Sequence, residues 1–166
     1  MNNSITNTNQ LCTNLYLYYY TGHKSPQFGH EYIQYELNTN ILYYTNNSRY
    51  RHDSNMIQKS VQINGTIINE IIYQLCAQYN VLHMHDNNLP EPNDYDGKQL
   101  FHIEYYDIHT QCTKRNIIVC SQIESQLQAS TFNNNDAVVQ QYYYFTQNIK
   151  LLFQSLMTAH FKVNPI

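Results

Sequence analysis

Apolar and polar positions alternate through the first third of the chain. Leu15-Tyr16-Leu17-Tyr18-Tyr19-Tyr20 is an aromatic, β-prone run that stops at Thr21-Gly22, and Ser25-Pro26-Gln27 then makes a turn. In Tyr32–Leu37 the residues Ile33, Tyr35 and Leu37 share one face, with Gln34 and Glu36 on the other, the mark of a half-buried antiparallel strand. Asn38-Thr39-Asn40 turns the chain, Ile41–Tyr44 resumes strand, Asn46-Asn47-Ser48 interrupts, and Met56–Ile63 is a fourth strand. At Asn64-Gly65 the period changes. Ile67, Ile68, Ile71, Ile72, Leu75, Cys76 and Tyr79 recur at three and four, which predicts a helix. Its isoleucines are mediocre helix formers, so packing has to hold it.

Residues 83–97 carry turn residues and breakers and read as a long surface loop. Strands return at Gln99–Ile108, with Phe101, Ile103 and Tyr105 on one face, and at Lys114–Ser121. Ile123–Ala129 reads as a short helical turn, and Asn133-Asn134-Asn135-Asp136 offers caps for a long helix from about Ala137 to His160. The fold class that follows is α+β: a single antiparallel six-stranded sheet with two long helices and a short one packed on one face. Residues 1–14 are a flexible polar extension in this reading, and 15–166 form one domain.

Composition narrows the function. The chain has 166 residues with 9 Lys+Arg against 12 Asp+Glu, and charged residues make up only 13%. That disfavours a polybasic membrane patch, a charged disordered tail and a strongly basic nucleic-acid binder. Polarity comes instead from 22 Asn and 16 Gln, which read as a neutral amide-rich surface. No apolar stretch approaches the ~20 residues of a membrane span. Cys12, Cys76, Cys112 and Cys120 are scattered, without C-x-x-C spacing, so zinc-ribbon and thioredoxin readings fail.

Candidate chemistry is sparse. His83, His85 and Asp86 could supply two imidazoles and a carboxylate to a metal, which keeps a small metal-dependent enzyme as the alternative function. No G-x-S-x-G elbow and no phosphate loop is present. His23, Lys24, His30 and Glu31 lie around the first turn, as acid–base equipment or, preferably, as a recognition edge. The tyrosines suggest single-strand stacking, but an acidic chain neutralises phosphate poorly, so core and sheet packing is the preferred use.

The last helix is too apolar for one job. Tyr142-Tyr143-Tyr144-Phe145 and Leu151-Leu152-Phe153 go nearly all the way round, and Val138, Tyr142, Phe145, Ile149, Leu152, Leu156 and His160 form a ridge that Phe153 and Met157 extend. The first helix is similarly wide. One side of each can lie on the sheet; the other calls for a protein partner.

These residues meet a resemblance. Tyr16-x-x-Tyr19-Tyr20-x-Gly22-His23-Lys24, Phe28-Gly29-His30-Glu31 and Tyr44-x-Asn46-Asn47-Ser48-x-Tyr50, with Leu151-x-Phe153-x-Ser155-Leu156 and His160-Phe161-Lys162-Val163-x-Pro165-Ile166 at the end, resemble the Mago nashi family over about residues 15–166. Departures are single insertions in the first turn and before Met56, Leu89-Pro90-Glu91-Pro92 in place of a Trp-Pro-rich loop, and Asn133-Asn134-Asn135 in place of a charged segment. The resemblance implies a non-enzymatic subunit of the exon junction complex, without cofactor, in the nucleus and shuttling to the cytoplasm. It implies that the helices bind a partner's RRM through Ile68, Ile72, Leu75, Ile149, Leu152, Phe153, Leu156 and Met157. The heterodimer would hold a DEAD-box helicase on spliced mRNA, touching mRNA only indirectly. His23, Lys24, His30, Glu31, Lys162, Pro165 and Ile166 are then expected to contact the helicase or a disassembly factor.

Overall fold

A computed structural model describes residues 10–48, 56–93, 97–123 and 136–161. Six strands, β1 (Cys12–Ser25), β2 (Gly29–Asn38), β3 (Ile41–Asn46), β4 (Ile57–Gln62), β5 (Lys98–Asp107) and β6 (Cys112–Ser121), form one antiparallel sheet in the order β4-β3-β2-β1-β5-β6. Two helices complete the described elements, α1 (Gly65–Gln78) and α2 (Asp136–His160). Asn64 caps α1 by accepting the Ile67 N–H on its side-chain oxygen, and Asn80, left-handed at φ 53°, turns the chain away beyond its C-terminus.

The expected alternation is present, and parity along β5 shows where the helices lie. Phe101 and Tyr105, on one face of β5, each meet a different helix. Phe101 meets Phe145 of α2 edge-on, ring centroids 4.9 Å apart, and Tyr105 meets Tyr73 of α1 at 5.6 Å. The helices run in opposite senses across the sheet. α1 starts beside Asn40 in the β2–β3 turn and crosses toward β5 and β6. The chain beyond it is tied down by Asn116 of β6, whose amide donates to the carbonyls of Val81 and Met84 at 2.7 and 2.9 Å. α2 returns from Phe101, past Tyr35 of β2, which Phe153 meets at 5.5 Å, to Phe161, whose ring carries the Lys59 ammonium of β4 at 5.2 Å.

Several expectations change. β1 begins at Cys12 rather than Leu15 and runs past Thr21-Gly22 to Ser25. A register shift between Thr13 and Tyr16, with Asn14 at φ 53°, lets Cys12 and Leu15 both turn inward. Gly22 does not end the strand; it makes room. A Cβ there would stand 2.6 Å from Tyr32 Cβ and 2.7 Å from the Glu31 carbonyl oxygen, so the bare backbone lets β1 and β2 stay paired. Two short 3-10 turns, Val81–His83 and Asp86–Asn88, lie at the entry to the expected loop and within it. Of the expected short helix at Ile123–Ala129, Ile123 is buried and not helical, and the rest lies outside the described residues, as do the Asn133–Asn135 caps.

The core ridge of α2 also differs from the one read in the sequence. Val139, Tyr142, Phe145, Ile149, Phe153 and Met157 are buried, while Val138, Leu152 and Leu156 are only partly buried. We expect Phe153→Ala to lower the unfolding free energy by about 3–5 kcal/mol. Leu152→Ala should cost less than half as much, by urea denaturation of both variants. Equal losses would mean that α2 is rotated from the described setting.

Candidate partner-binding surface

Each helix has an apolar flank left over after packing on the sheet. On α1, Ile68, Ile72 and Cys76 point down, leaving Ile67 56% and Ile71 39% exposed and Leu75 half-buried. On α2, Leu152 and Leu156 are half-buried on this flank, while Leu151, 68% exposed, lies on the other side with Gln147, Lys150 and Gln154. The two flanks are neighbours, because Tyr79, following α1, meets Phe145 at 6.2 Å and its hydroxyl accepts from the Asn148 amide at 3.1 Å. Charge is scarce here: the 14 residues of α1 hold only Glu70, and the 25 of α2 only Asp136 and Lys150 besides His160. Of the partner-binding residues expected from the sequence, Leu75, Leu152 and Leu156 lie on this flank. Ile68, Ile72, Ile149, Phe153 and Met157 do not. They are at most 6% exposed, because the sheet takes that side of each helix. An apolar surface rimmed by amides and nearly free of charge is suited to a protein partner and offers nothing to a polar substrate.

The first hairpin tip sorts its residues onto two sides. Cross-strand register pairs His23 with Glu31 and Lys24 with His30. The first pair shares the parity of Tyr19 and Tyr35 and turns toward the helix side. There Glu31 is only 4% exposed, with its carboxylate 3.3 Å from His23 Nε2. The second pair lies on the open side. His30 Nε2 sits 2.7 Å from the Tyr20 hydroxyl and its ring lies 4.7 Å from Tyr32, while Lys24 is exposed. Asn47 fastens this edge, its side-chain amide donating to the His30 carbonyl and its backbone N–H to the Tyr32 carbonyl. The tip turns on Gly29 at φ 76° and on Ser25, whose hydroxyl accepts the N–H groups of Gln27 and Phe28.

The family model for Mago nashi protein matches residues 15–166, nearly the whole chain. A Protein mago nashi homolog of Arabidopsis thaliana is 34% identical over 155 residues, covering 93% of this chain and 96% of that relative. One from Dictyostelium discoideum is 32% identical over 162 residues, covering 97% and 77%. The chain belongs to the Mago nashi family.

In this Mago nashi domain the metal alternative finds no geometry. His83, His85 and Asp86 are all exposed, while Met84 between the two histidines turns into the core. Among the described residues no three His, Cys, Asp or Glu side chains are grouped to hold a metal. Nor do the three buried thiols offer a nucleophile: burial, with Asp107 nearby, pushes Cys12 up to about 11, and burial takes Cys120 to about 12 and Cys76 higher still. Lys162, Pro165 and Ile166 lie outside the described residues. Sequence reading missed Ile67 and Ile71 as members of the exposed flank. Their signal was present in the helical period, but only the setting of each helix on the sheet separates them from their buried neighbours.

Gly22→Ala tests the hairpin's construction. Because its methyl group would meet backbone and Tyr32 Cβ rather than a flexible side-chain end alone, we expect destabilisation of about 1–3 kcal/mol. Thermal melts would show it, and the His23 imidazole resonance would move as its neighbour Glu31 is displaced. An unchanged melt would mean the two strands do not approach as closely as described.

Proposed function

We propose that this chain is a non-enzymatic scaffold subunit of the exon junction complex. Its two-helix flank binds the RRM of a partner, and the heterodimer locks a DEAD-box helicase onto spliced mRNA, with mRNA held only indirectly. It works in the nucleus and shuttles to the cytoplasm. The observation that carries the reading is the charge-poor apolar flank of Ile67, Ile71, Leu75, Leu152 and Leu156, which the described fold leaves exposed or half-buried. Family membership supports it. An RRM is a suitable occupant because its aromatic strand face is a flat sheet that can lie across two helices. With that face covered, the partner's RNA-binding surface is occupied by protein.

Ile71→Arg tests the reading without the ambiguity of a core change. The residue is already 39% exposed, so folding should shift by no more than about 0.5 kcal/mol. A charge buried unpaired within the interface should weaken RRM-partner binding at least about 100-fold, or roughly 2.7 kcal/mol, by calorimetry. Tyr18→Arg on the opposite face of the sheet should bind as the parent does. Normal affinity in Ile71→Arg would remove the helix flank from the interface.

The hairpin's role in assembly is a separate part of the proposal and rests on Lys24. Glu31 is too buried for a charge reversal to be informative, whereas Lys24 is exposed. Lys24→Glu should leave the heterodimer intact and weaken its assembly with helicase, RNA and an ATP analogue in a pull-down. Undiminished ternary assembly would take the hairpin tip out of the site.

A further inference from the structure

β6 forms one edge of the sheet, and the phase of its hydrogen bonding can be read at its end. The N–H of Gln122, just past the strand, donates to the Gly97 carbonyl and so points back toward β5. The N–H of Ser121 points the other way, donating to the Pro90 carbonyl at 2.8 Å. In an antiparallel strand the backbone groups of successive residues face alternate sides. The β5–β6 register runs without a shift from Lys98↔Ser121 to Asp107↔Cys112, so this alternation holds along the whole strand. Lys114, Asn116, Ile118 and Cys120 therefore turn their N–H and C=O groups to β5. Thr113, Arg115, Ile117 and Val119 turn theirs away from the sheet.

Among the described residues, Pro90 closes this edge at Ser121, and nothing accepts the N–H groups of Thr113, Arg115, Ile117 and Val119. Asn116 holds the Val81 and Met84 carbonyls from the helix side. A cavity of about 290 Å³, lined in part by Leu82, His83, Lys114 and Arg115, leaves space beside the first half of the strand. Arg115 is 59% and Ile117 42% exposed. An open edge of this length is a template for another strand.

The side chains along the edge select its occupant. Lys114 lies opposite Tyr105 and Arg115 opposite Glu104, so one end of the strand carries a cation on each face of the sheet. Arg115, 3.7 Å from Glu104, keeps donors to spare, and Lys114 has no carboxylate within ion-pair distance among the described residues. Asp107, which also lines the cavity, is 5% exposed and already accepts the His109 and Thr110 N–H groups. Ile117 and Val119 make the other end apolar. A second copy of β6 would bring two more cations and no acid to the same short ladder.

We infer that β6 binds an extended segment of a partner protein as a seventh, antiparallel strand, with apolar residues opposite Val119 and Ile117 and acidic residues opposite Arg115 and Lys114. Main-chain hydrogen bonds supply the attraction, and the two acids set the register. The site uses none of the residues assigned to the RRM partner, so either can fail without the other.

The test is amide hydrogen exchange of the ¹⁵N-labelled full chain, read by NMR, with acetyl-Val-Thr-Val-Thr-Glu-Glu-Thr-amide, whose first to last residues fall opposite Val119 to Thr113. In the free chain Arg115 and Ile117 should exchange at least ten-fold faster than Asn116 and Ile118. Saturating peptide should slow Arg115 and Ile117 at least ten-fold. N-methylation of the peptide's third residue, whose N–H faces the edge, should weaken binding at least ten-fold, and N-methylation of the fourth, whose N–H faces away, should not. Lys in place of both Glu should also weaken it at least ten-fold. Ile117→Pro removes an outward donor and leaves the β5 ladder whole, so the variant should melt close to the parent and lose the peptide. Slow exchange at Arg115 and Ile117 in the free chain would overturn the inference, because a second copy or another segment of this chain would then hold the edge. So would exchange unchanged by peptide, equal binding by the third-residue N-methyl or Lys peptide, or full binding by Ile117→Pro. If Ile117→Pro does not fold, the peptide series on the parent chain decides by itself.

Discussion

Two aromatic contacts set the rotation of α2, and most of the molecule's surface chemistry follows from that rotation. Phe145 stands edge-on to Phe101, and Phe153 packs against Tyr35 two turns further on. The helix is apolar around most of its circumference, so several rotations would bury comparable area. With these rings in place, Ile149 and Met157 go down with them, Leu152 and Leu156 are left on the side toward α1, and Gln154 is left on the other. Tyr79 then fixes α1 alongside through Phe145 and Asn148, so both helices offer their spare apolar flanks together.

The two sides of the sheet meet water differently. The uncovered face is rich in tyrosine, with Tyr16, Tyr18 and Tyr20 half-buried and Tyr43 exposed, but polar neighbours accompany these rings. The Tyr18 hydroxyl donates to Gln34 at 3.2 Å, and Glu104 lies 3.7 Å from Arg115. Tyrosines with solvated or hydrogen-bonded hydroxyls tolerate water. The leucines and isoleucines of the helix flank have no such groups, and the helices supply almost no charge beside them. Ile41 and Ile117 are also exposed on the open face, beside Asn38, Gln62 and His102 in the cross-strand register, whereas on the helices the exposed apolar side chains recur turn after turn.

The strand layout was legible because one face of each strand is buried and one is not: Ile103 and Tyr105 face the core, and Glu104 between them does not. α1 was legible from its period and from Asn64. The extension of β1 through Gly22 was hidden, since a glycine in a strand reads as a stop until the side chains that crowd it are known. The division of helix residues between core and exposed flank was hidden for a related reason. Positions one step apart differ by about 100° around the helix, and in a run such as Leu151-Leu152-Phe153 every step is apolar. Ile68, Ile72, Ile149, Phe153 and Met157 thus read as partner-facing although the sheet claims them. The burial of one amide, that of Gln99, left no trace in the pattern. Gln99 occupies a core-facing position in β5, where a lone amide is indistinguishable in sequence from the other fifteen glutamines.

Methyl-detected NMR of this chain with the proposed RRM partner most directly tests whether the helix flank is the covered surface. Intermolecular nuclear Overhauser effects should appear at the methyl groups of Ile71, Leu75, Leu152 and Leu156. They should be absent at Ile41 and Ile117, which are exposed on the opposite face of the sheet. Contacts at Ile41 and Ile117 with silence along the two helices would contradict the assignment of that surface.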